Sequence, residues 1–233
     1  MAKSGNEERE QRILDAADDL FVHYGYDKTT VSDIAQRAGV SKGAIYLHFE
    51  SKDHLLEGLI LREMQTYAEK WLELIEADPK GGTIAGMYKN SLYALSNSDF
   101  MAAMFRQDRS VLGNYLRKQD NVFRTMRDQQ NQSPRYEFVK RMQAAGAVRQ
   151  DIDARVTAHI MDMLAYGLVG MDKVKPEEDI PPVEDIIEGI ADIMDRALTP
   201  EGSGDSEVGK TILQQIAQAS RQQLETVNNT EQE

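Results

Sequence analysis

The sequence contains no cysteine, and this absence excludes several classes of site. A chain without cysteine has no disulfide framework, no thiolate nucleophile and no zinc site built on sulfur ligands. Long apolar runs are also missing, since the nearest, residues 163–171, is far shorter than the roughly 20 residues of a membrane span. The polar first residues are unlike a secretory signal. We therefore expect a soluble, cytoplasmic protein that does not contact membranes.

Proline is scarce, with six residues in 233, and each falls where a helix is expected to end. Between the prolines, apolar residues recur at intervals of three and four, and no segment alternates as a strand does. The sequence predicts an all-α fold of about nine or ten helices. The longer predicted helices span residues 8–24, 52–77, 83–96, 99–107, 109–130, 135–145, 153–173 and 182–198.

These segments predict three regions. Residues 1–52 form an N-terminal three-helix module, and residues 53–198 form a C-terminal helical bundle. From Thr199 the composition becomes Pro-Glu-Gly-Ser-Gly-Asp-Ser, which indicates a flexible linker. Residues 199–233 are predicted to hold this linker, an accessory amphipathic helix between Val208 and Ala219, and a disordered polar end.

Histidine is too sparse to indicate a metal site. The four histidines are His23, His48, His54 and His159. No two of them have the His-x-x-x-His spacing of helical ligands. Gly81 and Gly82 indicate a turn rather than a phosphate loop, because no Gly-Lys-Ser or Gly-Lys-Thr follows them. No catalytic constellation, metal site or cofactor is predicted.

The net charge of −12 argues against a protein that coats nucleic acid nonspecifically. It leaves room for a local DNA-binding surface, because residues 28–52 carry four cations and two acids, a net charge of +2. The surrounding acidity should make DNA binding depend on specific contacts.

Residues 31–50 carry the most informative pattern, two short helices joined by a tight turn. Thr30 caps the first helix, with Asp33 completing an approximate capping box. Gly39 supplies the left-handed backbone of a sharp turn, and Ser41 caps a second helix that is predicted to reach Phe49. The buried face of the pair is formed by Ile34, Ala35, Ala38, Val40, Ile45 and Phe49. This is the layout of a DNA-binding helix-turn-helix.

The second helix has residues that do not favour its stability. Lys42 lies in its first turn, where the positive end of the helix dipole disfavours a cation, and Gly43 follows. Lys52 repeats this arrangement after Ser51, the predicted cap of the next helix. Helix N-termini attract anions, so these lysines favour contacts with phosphate. An ordinary solvated helical hairpin is the alternative.

The same segment resembles a known family. The residues that carry the resemblance are Gly25, Tyr26, Thr29, Thr30, Val31, Ile34, Ala35, Ala38, Gly39, Val40, Ser41, Gly43, Tyr46, Phe49 and Lys52. They are similar to the signature of the tetracycline-repressor (TetR) family of bacterial transcription regulators, from about Ile13 to Leu59. The resemblance implies phosphate contacts from Thr30, Tyr46 and Lys52, and a groove-facing surface of Ser41, Lys42, Gly43, Ala44 and His48.

Methionine and aromatic residues are concentrated in the middle of the chain, where they suit an adaptable pocket. A plain hydrophobic core is the alternative, but the resemblance implies a regulator with an effector site in its helical body. The predicted pocket residues are Trp71, Met101, Met104, Phe105, Tyr115, Phe123, Met126, Met142, Met163 and Tyr166. Because few fixed charges lie among them, we expect a small, largely apolar effector.

The last two strong helices have apolar faces too broad for one intramolecular neighbour. The residues predicted to form a dimer interface are Ile160, Leu164, Leu168, Ile186, Ile190 and Met194. Wide faces on adjacent helices suit a four-helix interface between two copies of the chain. A monomer that buries both faces is the alternative.

Together these features predict a homodimeric transcription regulator, a repressor released from operator DNA by a small apolar ligand. One rival is a DNA-bound regulator that acts through protein contacts, as nucleoid or division-site regulators do, and only the additional tail supports it. The other is an enzyme, which would need a convergent polar pocket that the sequence does not show.

Overall fold

The computed structural model describes residues 5–129, 133–171, 174 and 176–216. Across these ranges all regular structure is helical and no strand occurs, which confirms the predicted all-α fold. The helices are α1 (Gly5–Tyr24), α2 (Val31–Ala38), α3 (Lys42–Tyr46), α4 (Lys52–Ala77), α5 (Ile84–Ser96), α6 (Asp99–Arg106), α7 (Arg109–Leu112), α8 (Val122–Gln129), α9 (Pro134–Ala144), α10 (Ala154–Gly170), α11 (Val183–Leu198) and α12 (residues 206–216). Short 3-10 segments occupy Gly113–Arg117 and Glu177–Asp179. No described helix is long and apolar enough to cross a membrane.

One predicted helix, residues 109–130, is wrong as a continuous element. Gly113 has a φ of 52°, and a Cβ there would lie 2.6 Å from the Asp27 carboxylate, so the chain leaves helical geometry at this point. The backbone N–H of Asn114 donates to that carboxylate at 3.1 Å. Asn121 then starts α8 by accepting from the backbone N–H of Arg124 at 3.1 Å. The end of the prediction, residue 130, lies outside the described residues.

The chain divides into two compact units: residues 1–69 with 95–131, and residues 70–94 with 132–233. The boundaries predicted at residues 52 and 198 concern functional domains and stay predictions. In the first unit, α1 to α4 share one apolar core with α6, α7 and the 3-10 segment after α7. Its fully buried side chains include Ile13, Phe21, Leu59, Phe100 and Tyr115.

In the second unit, α5, α9, α10 and α11 each contribute buried side chains, among them Leu92, Val139, Met161 and Ile187. The Tyr88 hydroxyl is buried and donates a hydrogen bond to the Met161 carbonyl oxygen. The indole Nε1 of Trp71, on α4, donates to the Met87 carbonyl oxygen at 3.0 Å.

The predicted accessory helix is present as α12, and it packs within the second unit through two glycines. A Cβ on Gly209 would lie 1.7 Å from the Gly82 carbonyl oxygen, and a Cβ on Gly82 would lie 1.8 Å from the Ser206 carbonyl oxygen. Ser206 Oγ also accepts from the Gly82 N–H at 2.8 Å. These backbones approach each other because neither glycine has a side chain. The remaining predicted tail, residues 217–233 with Ala219, lies outside the described residues.

Candidate nucleic-acid interface

The helix-turn-helix begins with the predicted capping box at α2. Thr30 Oγ1 accepts from the Asp33 N–H at 3.2 Å, and Asp33 Oδ2 accepts from the Thr30 N–H at 2.9 Å. A further hydrogen bond from the Thr30 hydroxyl to Asp33 is the main reason why the pKa of Asp33 lies below its usual value. The pair satisfies two backbone donors at the helix start and fixes the direction of α2.

The turn between α2 and α3 has the predicted chemistry. Gly39 adopts a left-handed conformation with φ 66° and ψ 36°. No atom lies within 4 Å of a Cβ built at this position, so backbone conformation alone requires glycine. Ser41 Oγ then accepts from the Ala44 N–H at 3.1 Å and starts α3. α3 ends at Tyr46, earlier than the predicted Phe49, and residues 47 and 48 continue it as a turn.

A buried layer beneath α2 and α3 holds them in place. Ile34, Ile45 and Phe49 are almost completely buried in the apolar core that they share with α1. Phe49 packs so closely on α4 that a Cβ on Gly58 would lie 2.8 Å from its ring. The outer face of α3 is therefore presented on a rigid support.

The outward-facing side consists of Ser41, Lys42, Gly43, Tyr46 and Leu47, all of which are exposed. Leu47 is 83% exposed and was missed by the sequence analysis, although an apolar residue off the buried face of the motif was a usable signal. Ala44, also predicted here, is half-buried. A second missed feature is a cleft of about 610 Å³ between α1 and α2, lined by Leu20, Tyr24, Lys28, Thr29, Asp33, Gln36 and Arg37.

The Lys52 side chain is not simply a free phosphate contact. Its Nζ donates to the carbonyl oxygens of Tyr26 at 2.8 Å and Thr29 at 3.0 Å, and it lies 3.9 Å from the centre of the Tyr26 ring. Desolvation by burial lowers the pKa of Lys52, against the attraction of Asp27 and Asp53. Lys52 therefore anchors the start of α4 to the segment that precedes Thr30, with one N–H left for another acceptor.

His48 was predicted to face the groove, and the structure contradicts this. Its side chain is only 5% exposed, and Nδ1 lies 3.5 Å from Glu10 Oε2 on α1. Nε2 is buried and, within the described part of the chain, has no hydrogen-bond partner. The ring therefore lies against α1 and not on the outward-facing side of α3, where the resemblance implied it.

This module matches known proteins. A sequence model of bacterial regulatory proteins of the tetR family matches residues 13–59, from α1 to the start of α4. Over 163 residues the chain is 29% identical to the HTH-type transcriptional repressor Rv1474c of Mycobacterium tuberculosis. The aligned region covers 69% of this chain and 80% of that protein.

The whole fold also has solved counterparts. One is NalD, the secondary repressor of the MexAB-OprM multidrug efflux pump in Pseudomonas aeruginosa, with a TM-score of 0.62, 19% identity, and coverage of 85% of this chain and 100% of that chain. Another is FadR from Bacillus subtilis in complex with stearoyl-CoA, with a TM-score of 0.59, 18% identity, and coverage of 79% and 96%. Residues 13–59 form a DNA-binding module of the TetR family of bacterial regulatory proteins, which confirms the resemblance noted from about residue 13 to residue 59. The chain is a DNA-binding transcriptional regulator.

The predicted effector residues of this regulator are divided between the two compact units. Met101, Met104, Phe105, Tyr115, Phe123 and Met126 belong to the first compact unit, whereas Trp71, Met142, Met163 and Tyr166 belong to the second. Met163 and Tyr166 on α10 are exposed among the described residues, so their placement in an interior pocket is wrong. Tyr115 is a buried core residue whose hydroxyl donates to Glu57 at 2.9 Å and accepts from the Val122 N–H.

The predicted dimer residues separate by exposure. On α10, Ile160 is exposed and Leu164 and Leu168 are half-buried; on α11, Ile186 and Ile190 are half-buried. Met194 is buried within the protomer beside the inner residues Ile187, Ala191 and Leu198, which corrects its assignment. Further exposed apolar residues on the two helices are Val156, Met163, Tyr166, Val183 and Ile193.

Proposed function

We propose that this regulator is a homodimeric repressor that leaves its operator when a small molecule binds. The observation that carries the proposal is the exposed surface of α3, with Lys42, Gly43 and Tyr46 on a buried, capped support. Such a short helix presents its first turn to the major groove, where base edges can be distinguished. Lys42 and Leu47 supply one cation and one apolar group, suited to a guanine edge and a thymine methyl group.

Phosphate contacts would come from the flanks of this surface. Thr30 and Tyr46 lie on either side of the turn, and the remaining N–H of Lys52 is available beside Thr30. Half to two-thirds of protein–DNA hydrogen bonds go to the backbone, and they fix orientation rather than sequence.

The exposed apolar residues of α10 and α11 support the dimer. Nothing in the part of the chain that the structure describes covers Met163 or Ile193, which are 61% and 67% exposed. Large exposed apolar patches mark interaction surfaces. When two copies of the chain pair through the same surface, a two-fold axis relates their two recognition helices. The alternative in which a monomer buries both faces is not supported.

The effector is inferred from the family fold, since FadR, a neighbour of similar fold, is a regulator in complex with stearoyl-CoA. The rival function, action through protein contacts of a free tail, has no specific support, because the described part of the tail is packed against Gly82.

The decisive experiment maps the DNA sites bound by the full-length protein across its genome and footprints the strongest of them. We expect few sites, each with two inverted half-sites whose centres lie about 10 base pairs, or a multiple of that, apart. Reporter transcription from these sites should rise when the gene is deleted. Many scattered sites without dyad symmetry and no change in transcription would contradict the proposal.

A further inference from the structure

An open cavity of about 310 Å³ lies at the surface of the first compact unit, where α6 ends and α8 begins. Its lining residues are Gln107, Leu116, Asn121, Phe123, Arg124 and Arg127. A volume of this size is at the lower end of small-molecule sites. Only Phe123 among these residues was predicted to contact an effector, and the lining is more polar than the sequence analysis expected.

Two arginines dominate the charge of this cavity. Arg124 and Arg127 are one helical turn apart on α8 and both are exposed. Among the described residues, neither has a carboxylate within 4.0 Å, whereas eight of the twelve other described arginines do. Residues 106–127 carry six cations and two acids in a chain whose net charge is −12. Guanidinium groups without protein partners favour carboxylate or phosphate, to which arginine can bind through two hydrogen bonds.

One exposed lining residue of the cavity has an uncommon backbone conformation. Gln107 has a φ of 49° and, among the described residues, is the one non-glycine residue with positive φ. Its backbone N–H caps α6 by donating to the Met104 carbonyl oxygen at 2.9 Å. A left-handed glutamine costs free energy that a glycine would not, and its side chain amide is a polar group at the cavity wall.

We propose that this cavity binds a small organic anion, a carboxylate or a phosphate ester. Arg124 and Arg127 bind its acidic group, and Leu116 and Phe123 contact its apolar part. This proposal rests on the proposed function, because it makes this anion the effector. It adds an acidic group to the small, largely apolar effector that the sequence predicted.

The cavity is connected to the DNA-binding module by a continuous set of hydrogen bonds. Asn121 Nδ2 donates to the carbonyl oxygens of Lys118 at 2.6 Å and Leu116 at 3.3 Å. Lys118 Nζ in turn pairs with Asp53, which also accepts from the Tyr26 hydroxyl. Asp53 follows Lys52, the residue that anchors α4 beside Thr30. An anion that moves the start of α8 therefore acts on the first turn of α4 through Asn121 and Lys118.

Four probes test the site by calorimetric titration of the full chain: hexanoate, hexyl phosphate, hexan-1-ol as the neutral match, and inorganic phosphate. We expect one or both organic anions to bind and to raise the melting temperature, and hexan-1-ol to bind at least tenfold more weakly. The variant R124Q/R127Q should raise the Kd of the anion about 10- to 100-fold, the loss expected for charged hydrogen bonds. The matched control R109Q/R117Q removes two neighbouring exposed charges outside the cavity and should leave the Kd unchanged.

The other outcomes are equally clear. The proposal is overturned if hexanoate and hexan-1-ol bind equally, or if both double variants lose the same affinity. It is also overturned if no anion binds at about 10 mM, a concentration that would fill even a site with a Kd of about 1 mM. If R124Q/R127Q instead weakens operator binding without ligand and lowers the salt slope, the arginines contact DNA and the proposal is overturned as well.

A second variant separates the site from the function. Lys118→Gln removes the cation that pairs with Asp53, and Lys118 is not among the residues that line the cavity. We expect this variant to bind the anion as tightly as the native chain and to release operator DNA at least tenfold less readily. Anion binding by the native chain without DNA release would leave the site in place and contradict the proposed function, whereas full release by K118Q would contradict the connection.

Discussion

Asp18 on α1 is partly buried beside other carboxylates and one arginine, and its pKa is raised. Burial is the main cause that raises its pKa to about 6, followed by the negative charge of Glu63, while Arg62 lowers it and Asp15 and Asp19 raise it. Arg62 is shared by three carboxylates, since its guanidinium lies 2.6 Å from Asp15, 3.0 Å from Glu63 and 4.0 Å from Asp18. Asp18 therefore remains without a close cation of its own within the described residues.

The Asp18→Asn variant should be more stable than the native chain at neutral pH. Because the folded-state pKa is raised, the native state binds a proton that the unfolded state has lost, and this contribution to stability disappears as pH rises from about 4 through 6. After allowance for solvent screening we expect the variant to gain about 1–2 kcal/mol above pH 7. The gain should vanish near pH 3.5. Urea unfolding at several pH values measures it, and a gain independent of pH would contradict the assignment.

Lys42 should affect which bases are bound. Lys42→Ala should cost about 1–3 kcal/mol on the preferred operator and relax the preference at one position of each half-site. Tyr46→Phe should weaken binding by a similar factor on all sequences, because a phosphate contact carries no base information. Selection from randomised duplexes measures both effects. Lys80→Ala, which removes an exposed lysine of the second unit, is the control and should leave the preference unchanged.

At the scale of elements, the sequence predicted whatever depends on local chemistry. The capping box at Thr30, the left-handed Gly39 and the Ser41 cap all follow from the residues themselves, and each was confirmed. The break within residues 109–130 was not predictable, because it depends on the Asp27 carboxylate, which is distant in sequence. The same holds for His48, whose inward position depends on Glu10, and for Lys52, whose acceptors are backbone carbonyl groups.

The contact between α12 and the turn before α5 gives an element-scale prediction. Gly209→Ala should lower stability by about 1–3 kcal/mol, although alanine favours a helix, because its Cβ would meet the Gly82 carbonyl oxygen at 1.7 Å. Gly204→Ala is the matched control, since no atom lies within 4 Å of its Cβ, and it should change stability by less than about 0.5 kcal/mol. Differential scanning calorimetry compares them, and equal melting temperatures would show that α12 is not packed there in solution.

At the scale of the whole molecule, α11 has two apolar sides. Ile187 and Met194 face the protomer, whereas Ile193 is 67% exposed, and α10 likewise presents Met163 outwards with 61% exposure. Sequence periodicity marked both helices as broadly apolar, but it did not separate the inner side from the outer one. That separation requires the packing of the whole unit.

Met163→Glu and Ile193→Glu should each weaken dimerisation, and the double variant should be monomeric. Two glutamates on a self-matching surface would place unpaired charges in the interface, at a cost of several kcal/mol. Sedimentation should show the change, and operator binding should fall with it while the helical content stays constant. Leu61→Glu, at a similarly exposed position of α4, should remain dimeric. A dimeric double variant would locate the interface elsewhere.

The hydrogen bond from Trp71 to the Met87 carbonyl oxygen has a practical consequence, because this is the one tryptophan of the chain. All indole fluorescence arises from a single half-buried position between α4 and α5. A shift of the emission maximum on addition of a ligand therefore reports a change in the surroundings of Trp71. The intrinsic fluorescence of Trp71 can therefore be used to follow α4 in the native protein without an added label.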